Sequence, residues 1–136
     1  MTNKQQTISP IDGSIYVERE LASQSTIEQT LAQGVAAQKL WRDTSISERR
    51  TICFAMLEAF EQNSDEIAEQ LTWMMGRPIQ YAKGEVAGMI ERAQYMIEVA
   101  DESLAPIKLT PVAGFNRFIK REALGVAFIG APWNYP

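Results

Sequence analysis

The sequence predicts an α/β fold in which helices outnumber strands. Three observations predict it. A strand–turn–strand signal opens the chain around Pro10-Ile11-Asp12-Gly13. Four segments of helical period, each with start or stop residues, follow from Ser25 to Ser103. Near the end a short apolar run, Val126 to Ile129, has the pattern of a fully buried strand. At 136 residues the chain is one domain's worth. Its 46% apolar and 22% charged content is that of an ordinary globular protein.

Residues 1–6 are polar and predict a loose terminus. Thr7-Ile8 and Ser14–Leu21 predict two short strands around a turn, in which proline presets one backbone angle and Gly13 supplies a positive one. The second arm alternates Ile15 and Val17 against Tyr16 and Glu18. Ser25 with Glu28 and Ser45 with Glu48 have capping-box spacing, and Asn63 with Glu66 is the same device with Asn as the cap. The first helix, about 26–42, carries Ile27, Leu31 and Val35 on one stripe. The second, about 46–62, carries Ile52, Met56 and Phe60. The third, about 64–75, carries Ile67, Leu71 and Met75, and stops at Gly76 with Pro78 just beyond. The fourth, about 79–103, carries Ala82, Val86, Ile90, Ala93, Ile97 and Ala100 at steps of three and four. Ala105-Pro106 ends it. Phe115, Arg117, Ile119 and Arg121 then alternate with Asn116, Phe118 and Lys120, a strand pattern suited by its basic residues to a sheet edge.

Composition excludes several function classes. The net charge of −4, from 13 basic and 17 acidic residues, argues against a nucleic-acid partner, because phosphate binding needs a basic face. With no histidine, this chain alone cannot build a His-based triad or a His-liganded metal site, and the acidic residues lack metal-loop spacing. One cysteine makes no disulfide framework, and a reducing cytoplasm is the plain expectation. No apolar run approaches the ~20 residues that span a membrane. Gly84-Glu85-Val86-Ala87-Gly88 is a G-x-x-x-G pattern whose charged neighbours exclude a membrane helix, so it predicts close helix packing. The methionines, spread over helical faces, are core filler.

At the tail, Gly130 allows close backbone approach, and Pro132 and Pro136 bracket Trp133, Asn134 and Tyr135 at the carboxyl end of the expected strand. In α/β sheets ligands bind at that end. Arg121-Glu122-Ala123-Leu124-Gly125-Val126, followed by Ala131-Pro132-Trp133-Asn134-Tyr135-Pro136, resembles the aldehyde dehydrogenase superfamily, whose usual form is close to R-x-P-L-G-V, a strand, and P-W-N-[FY]-P. Ala123 departs from it, since proline is commoner there. Met75-Gly76-Arg77-Pro78 with Gly84-Glu85-Val86, and Ser9-Pro10-Ile11-Asp12-Gly13, look like two further family segments. The resemblance covers nearly the whole chain but only the first part of the family's usual length.

The resemblance implies the N-terminal part of the aldehyde dehydrogenase fold. It comprises a helical outer layer, the first strands of a doubly wound, Rossmann-like cofactor domain, and a β oligomerisation arm over Leu109 to Arg121. Residues 1–136 would be an incomplete NAD(P)-binding domain of a homo-oligomer. The implied activity is NAD- or NADP-dependent oxidation of an aldehyde to its acid, with a semialdehyde suggested by the Met75–Pro78 segment. By the same resemblance Asn134 donates to the oxyanion, where its bland alternative is a turn cap. Gly130, Ala131, Pro132 and Trp133 flank the nicotinamide ribose, where the alternative is strand-exit packing. Tyr135 lines the aldehyde tunnel, where the alternative is core packing. Cys53 lies inside an amphipathic helix with nothing nearby to lower its pKa, so it is structural. The family's cysteine nucleophile, glutamate base and dinucleotide turn lie further along, so residues 1–136 alone are expected to be inactive; the Val126–Ile129 strand, without its neighbours and with unpaired backbone groups, predicts poor autonomous stability or association with other chains. The alternative is a truncated, non-catalytic relative that acts as a helical interaction module.

Overall fold

Residues 3–132 are described in the computed structural model of the chain, and they form two small hairpins and five helices. The first hairpin pairs β1 (Lys4–Ile8) with β2 (Ile15–Glu20) in antiparallel register, from Lys4 opposite Glu20 to Ile8 opposite Ile15. Lys4 to Gln6, expected to be loose, are therefore part of the ladder. Their polar side chains are held across it: Lys4 Nζ lies 2.6 Å from a Glu18 oxygen, and Gln6 donates to the other at 2.7 Å. These two donors, Lys4 first, hold the Glu18 carboxyl below its ordinary range.

A bulge between Thr7 and Ile8 leaves Tyr16 without a partner across the ladder. Burial on β2 consequently departs from simple alternation. Tyr16 and Val17 are half-buried and Ile15 is exposed. The bulged Tyr16 lies parallel to Trp73, with centroids 6.0 Å apart; bulges re-aim a side chain in this way.

The turn is built as predicted. Gly13 takes φ 76° and donates to Ser9 O, while Asp12 accepts from the Ser14 N–H and hydroxyl. Ser9 is buried, and its hydroxyl accepts from Ile11 N.

Helix α1 (Gln24–Trp41) starts earlier than the Ser25–Glu28 spacing predicts. Ser23 is the cap, accepting from Thr26 N at 3.1 Å, and Glu28 accepts instead from Gln24. Two serines two residues apart compete, and the earlier one gives a longer helix. Helix α2 (Ile46–Gln62) has the predicted capping box in full, with Ser45 Oγ accepting from Glu48 N and Glu48 accepting from Ser45 N. Helix α3 (Ser64–Met75) has the predicted span, but Asn63 does not cap it through its side chain; the Asn63 amide donates back to Ala59 O. Helix α4 runs Ile79–Glu98. The expected single helix is interrupted at Val99, where ψ of −2° opens the turn, and α5 (Ala100–Leu104) follows. The interruption sets Asp101 against Arg50 of α2 at 2.5 Å.

The core lies where α4 packs along α2 and α3. Ala68, Ala82, Val86 and Leu57 are buried there. The α4 stripe is as predicted, since Ala82 and Val86 are buried and Ile90, Ala93, Ile97 and Ala100 half-buried. The α2 stripe is not. Leu57 is buried with Cys53 and Phe54 half-buried, whereas Ile52, Met56 and Phe60 face outward. Helix α2 is apolar on two sides, and periodicity cannot tell which side meets α4.

Gly76 ends α3 at φ 79°, and a Cβ there would stand 3.1 Å from Pro10 Cγ. The turn of the first hairpin thus seats on the α3 exit. Gly76→Ala adds left-handed strain of about 1–2 kcal/mol and presses on Pro10. A lower denaturant midpoint with an unchanged slope checks this.

The Glu48 carboxyl is held below its usual value of 4.5 by the Ser45 hydroxyl and then the Ser45 N–H. A depressed carboxylate stabilises the fold above its unfolded pKa, and that contribution is lost as pH falls through the lower folded value. Stability should fall as pH drops below the ordinary glutamate range, and Glu48→Gln should flatten part of that slope in denaturant titrations.

The second hairpin replaces the single strand read from the alternation. Strand β3 (Ile107–Lys108) pairs antiparallel with β4 (Phe118–Ile119), Leu109 N donates to Arg117 O, and Gly114 turns the chain at φ 80°. Arg121 fastens the base by donating to Ala105 O at 2.6 Å. The strand expected over Val126–Ile129 is not formed. That stretch is irregular and exposed, because no neighbouring strand among the described residues takes its backbone bonds.

Candidate active site

The site proposed from the sequence is the segment leading to Pro136, and its described part ends at Pro132. Gly125 opens it at φ 129°, a conformation for which glycine is suited. Leu124, Phe128 and Ile129 are almost fully exposed. Val126 is half-covered, because its two methyl groups lie against α1, 3.6 Å from where a Cβ on Gly34 would stand. Glu122 is held below its ordinary range by Lys120, 2.7 Å away, and further by the charge of Arg42 at the end of that helix.

Gly130, Ala131 and Pro132 follow in irregular, exposed chain. A Cβ placed on Gly130 would meet nothing closer than Phe128 Cε1 at 3.8 Å. A bare backbone followed by one methyl group can accept the close approach of a flat ring. Trp133, Asn134 and Tyr135 lie outside the described residues. The structure therefore brings together Gly130, Ala131 and Pro132 only.

Cys53 is a half-buried free thiol within α2. Among the described residues no group of His, Cys, Asp or Glu could hold a metal ion, and no helix is long and apolar enough to cross a membrane. Sequence reasoning missed the approach of Val126 to Gly34 of α1. Its one signal is Gly34, a glycine beside Val35 in the middle of a helical stripe.

The aldehyde dehydrogenase family model matches residues 1–136. The chain belongs to the aldehyde dehydrogenase family. An aldehyde dehydrogenase-like protein of Schizosaccharomyces pombe is 34% identical over 133 residues, which cover 93% of this chain and 25% of that protein. Among solved structures, succinic semialdehyde dehydrogenase from Streptococcus pyogenes, in complex with NADP+ as the cofactor, superposes with a TM-score of 0.73 at 25% identity, over 80% of this chain and 24% of the other. Methylmalonate-semialdehyde dehydrogenase from Oceanimonas doudoroffii superposes with a TM-score of 0.70 at 31% identity, over 77% and 21%. The chain spans about a quarter of the length of these aldehyde dehydrogenases. Its helices and hairpins are the N-terminal portion of that α/β fold.

Proposed function

We propose that the intact protein oxidises an aldehyde to the carboxylic acid with NAD or NADP. The observation that carries this is the Pro132-Trp133-Asn134-Tyr135-Pro136 sequence at the end of a chain that the family matches throughout. A cysteine thiolate supplied from beyond Pro136 attacks the carbonyl carbon, and negative charge develops on its oxygen. The Asn134 amide donates a hydrogen bond to that oxygen, and such a donor is worth about 3–4 kcal/mol in the transition state. A nicotinamide held beside Gly130, Ala131, Pro132 and Trp133 would supply the hydride acceptor for the oxidation. A water activated by a glutamate, also from beyond Pro136, then releases the acid.

Gly130, Ala131, Pro132 and Trp133 form the wall beside the nicotinamide ribose, and the open backbone at Gly130 fits a cofactor held there. Tyr135 lines the aldehyde's approach. The substrate class we favour is a semialdehyde, supported by the semialdehyde dehydrogenases named among the similar structures. Residues 1–136 make up the N-terminal part of the cofactor domain in a cytoplasmic homo-oligomer. The 109–121 hairpin is its joining arm, supported by the exposure of Val112, Phe115, Phe118 and Ile119.

The intact protein and residues 1–136 alone should be assayed for NADH or NADPH formation against simple aldehydes and C3–C5 semialdehydes. We expect turnover by the intact protein and none by residues 1–136. Turnover by residues 1–136 would overturn the roles given to the later cysteine and glutamate.

A further inference from the structure

We propose that the cleft of the second hairpin receives an acidic stretch of a second copy of this chain, and that Lys108 and Arg117 recognise it. The inference rests on the reading of the 109–121 hairpin as a joining arm. It adds the chemistry of the surface that the arm meets.

The hairpin is poorly built to stand alone. Its ladder is two residues long on each side, and an isolated two-stranded hairpin is marginal in water. Its aromatic side chains are nonetheless displayed, Phe115 at 71% exposure and Phe118 at 51%. The hairpin also shapes an open cleft of about 420 Å³. Leu109, Phe115 and Phe118 give it apolar walls, and Lys108, Asn116 and Arg117 give it polar ones. Apolar surface rimmed by polar groups is the anatomy of a protein contact.

Charge decides what the contact is made with. From Ala105 to Arg121 the chain has four basic residues, Lys108, Arg117, Lys120 and Arg121, and no acidic one. The rest of the chain carries nine basic residues against seventeen acidic. Lys120 is paired with Glu122 at 2.7 Å, and Arg121 donates to Ala105 O. Lys108 and Arg117 have no ion-pair partner among the described residues. They stand on neighbouring rungs of the hairpin, Lys108 opposite Phe118 and Arg117 accepting through its carbonyl from Leu109 N. Two uncompensated cations therefore share one cleft.

Two such arms laid on each other across a two-fold axis would bring like charges together, which opposes association. The arm must cross to a different surface of its partner, where carboxylates stand beside apolar side chains. A second copy supplies an acidic surface, since its excess of acidic residues lies wholly outside the arm. The attraction acts over a screening length of about 8–10 Å, so it orients the arm before contact.

The test is the dissociation constant of the intact protein's assembly, from sedimentation velocity over a dilution series. Raising the salt from about 0.05 M to about 0.5 M should weaken the assembly about tenfold. Lys108→Glu with Arg117→Glu should weaken it about a hundredfold. Lys39→Glu with Arg92→Glu makes the same change of charge at exposed helical positions and should stay within about threefold. A carbodiimide joins an amine to a carboxylate that touches it. It should give a covalent dimer through Lys108, and Lys108→Arg, which keeps the charge, should lose that dimer. Absence of a Lys108 cross-link between copies overturns the proposal. So does an assembly that Phe115→Ser dissociates but that salt and the charge reversal leave intact; the joining arm would then stand without an acidic partner surface. A wild-type monomer, or an assembly that survives both Phe115→Ser and the reversal, overturns the joining arm itself and this proposal with it.

Discussion

Asn134→Ala in the intact protein is expected to lower kcat about 10²–10³-fold. The charge on the carbonyl oxygen exists only as the thiolate adds. A donor aimed at it therefore acts on the transition state and little on the bound aldehyde. KM should accordingly change much less than kcat, and cofactor affinity should hold, since the wall beside the nicotinamide is assigned to Gly130–Trp133. Asn134→Asp keeps the shape and replaces the donor with a negative charge, so it should be at least as damaging. Steady-state kinetics with one aldehyde at saturating cofactor decides the matter. If instead Asn134 only capped a turn, stability would fall and kcat for the folded fraction would stay near wild type.

The largest expected effect on stability is at Leu57. It is 5% exposed and is the largest side chain of the buried apolar set among the described residues, beside Ala68, Ala82 and Val86. Helix α2 packs along α4, whose buried residues, Ala82 and Val86, are small. Leu57→Ala removes buried methyl groups and leaves a void, a change that costs about 2–5 kcal/mol. Two alanines and a valine contribute little of their own, so little remains to compensate. Glu58→Ala, one residue away on the exposed side, should cost within about 0.5 kcal/mol. Urea denaturation of the two variants beside wild type measures the contrast.

Local chemistry was the legible part of the fold. Ser45 and Glu48 close on one another as their spacing predicts, Gly76 ends α3 in the left-handed conformation, and Gly13 turns the first hairpin. Each of these is decided within four residues. What was not legible depends on distant partners. Whether Ile52 or Cys53 lies on the inner face of α2 is set by where α4 packs. The bulged Tyr16 finds its partner, Trp73, on α3, far along the chain. The apolar run Val126–Ile129 has the composition of a strand, but a strand needs neighbours to bond with.

The site divides in the same way. The family was legible through the resemblance carried by the Pro132–Pro136 motif, and the family match over residues 1–136 bears out that membership. The placement of Val126 on Gly34 was not, because a single glycine in a helical stripe says only that something approaches closely.

The central claim is most directly tested by following absorbance at 340 nm while the purified intact protein meets a panel of aldehydes and semialdehydes with NAD and then NADP. Growth of reduced nicotinamide that depends on the aldehyde, with the matching carboxylic acid as product, is the result this account predicts. An intact, folded protein that binds cofactor yet reduces none of it with any aldehyde in the panel would contradict it.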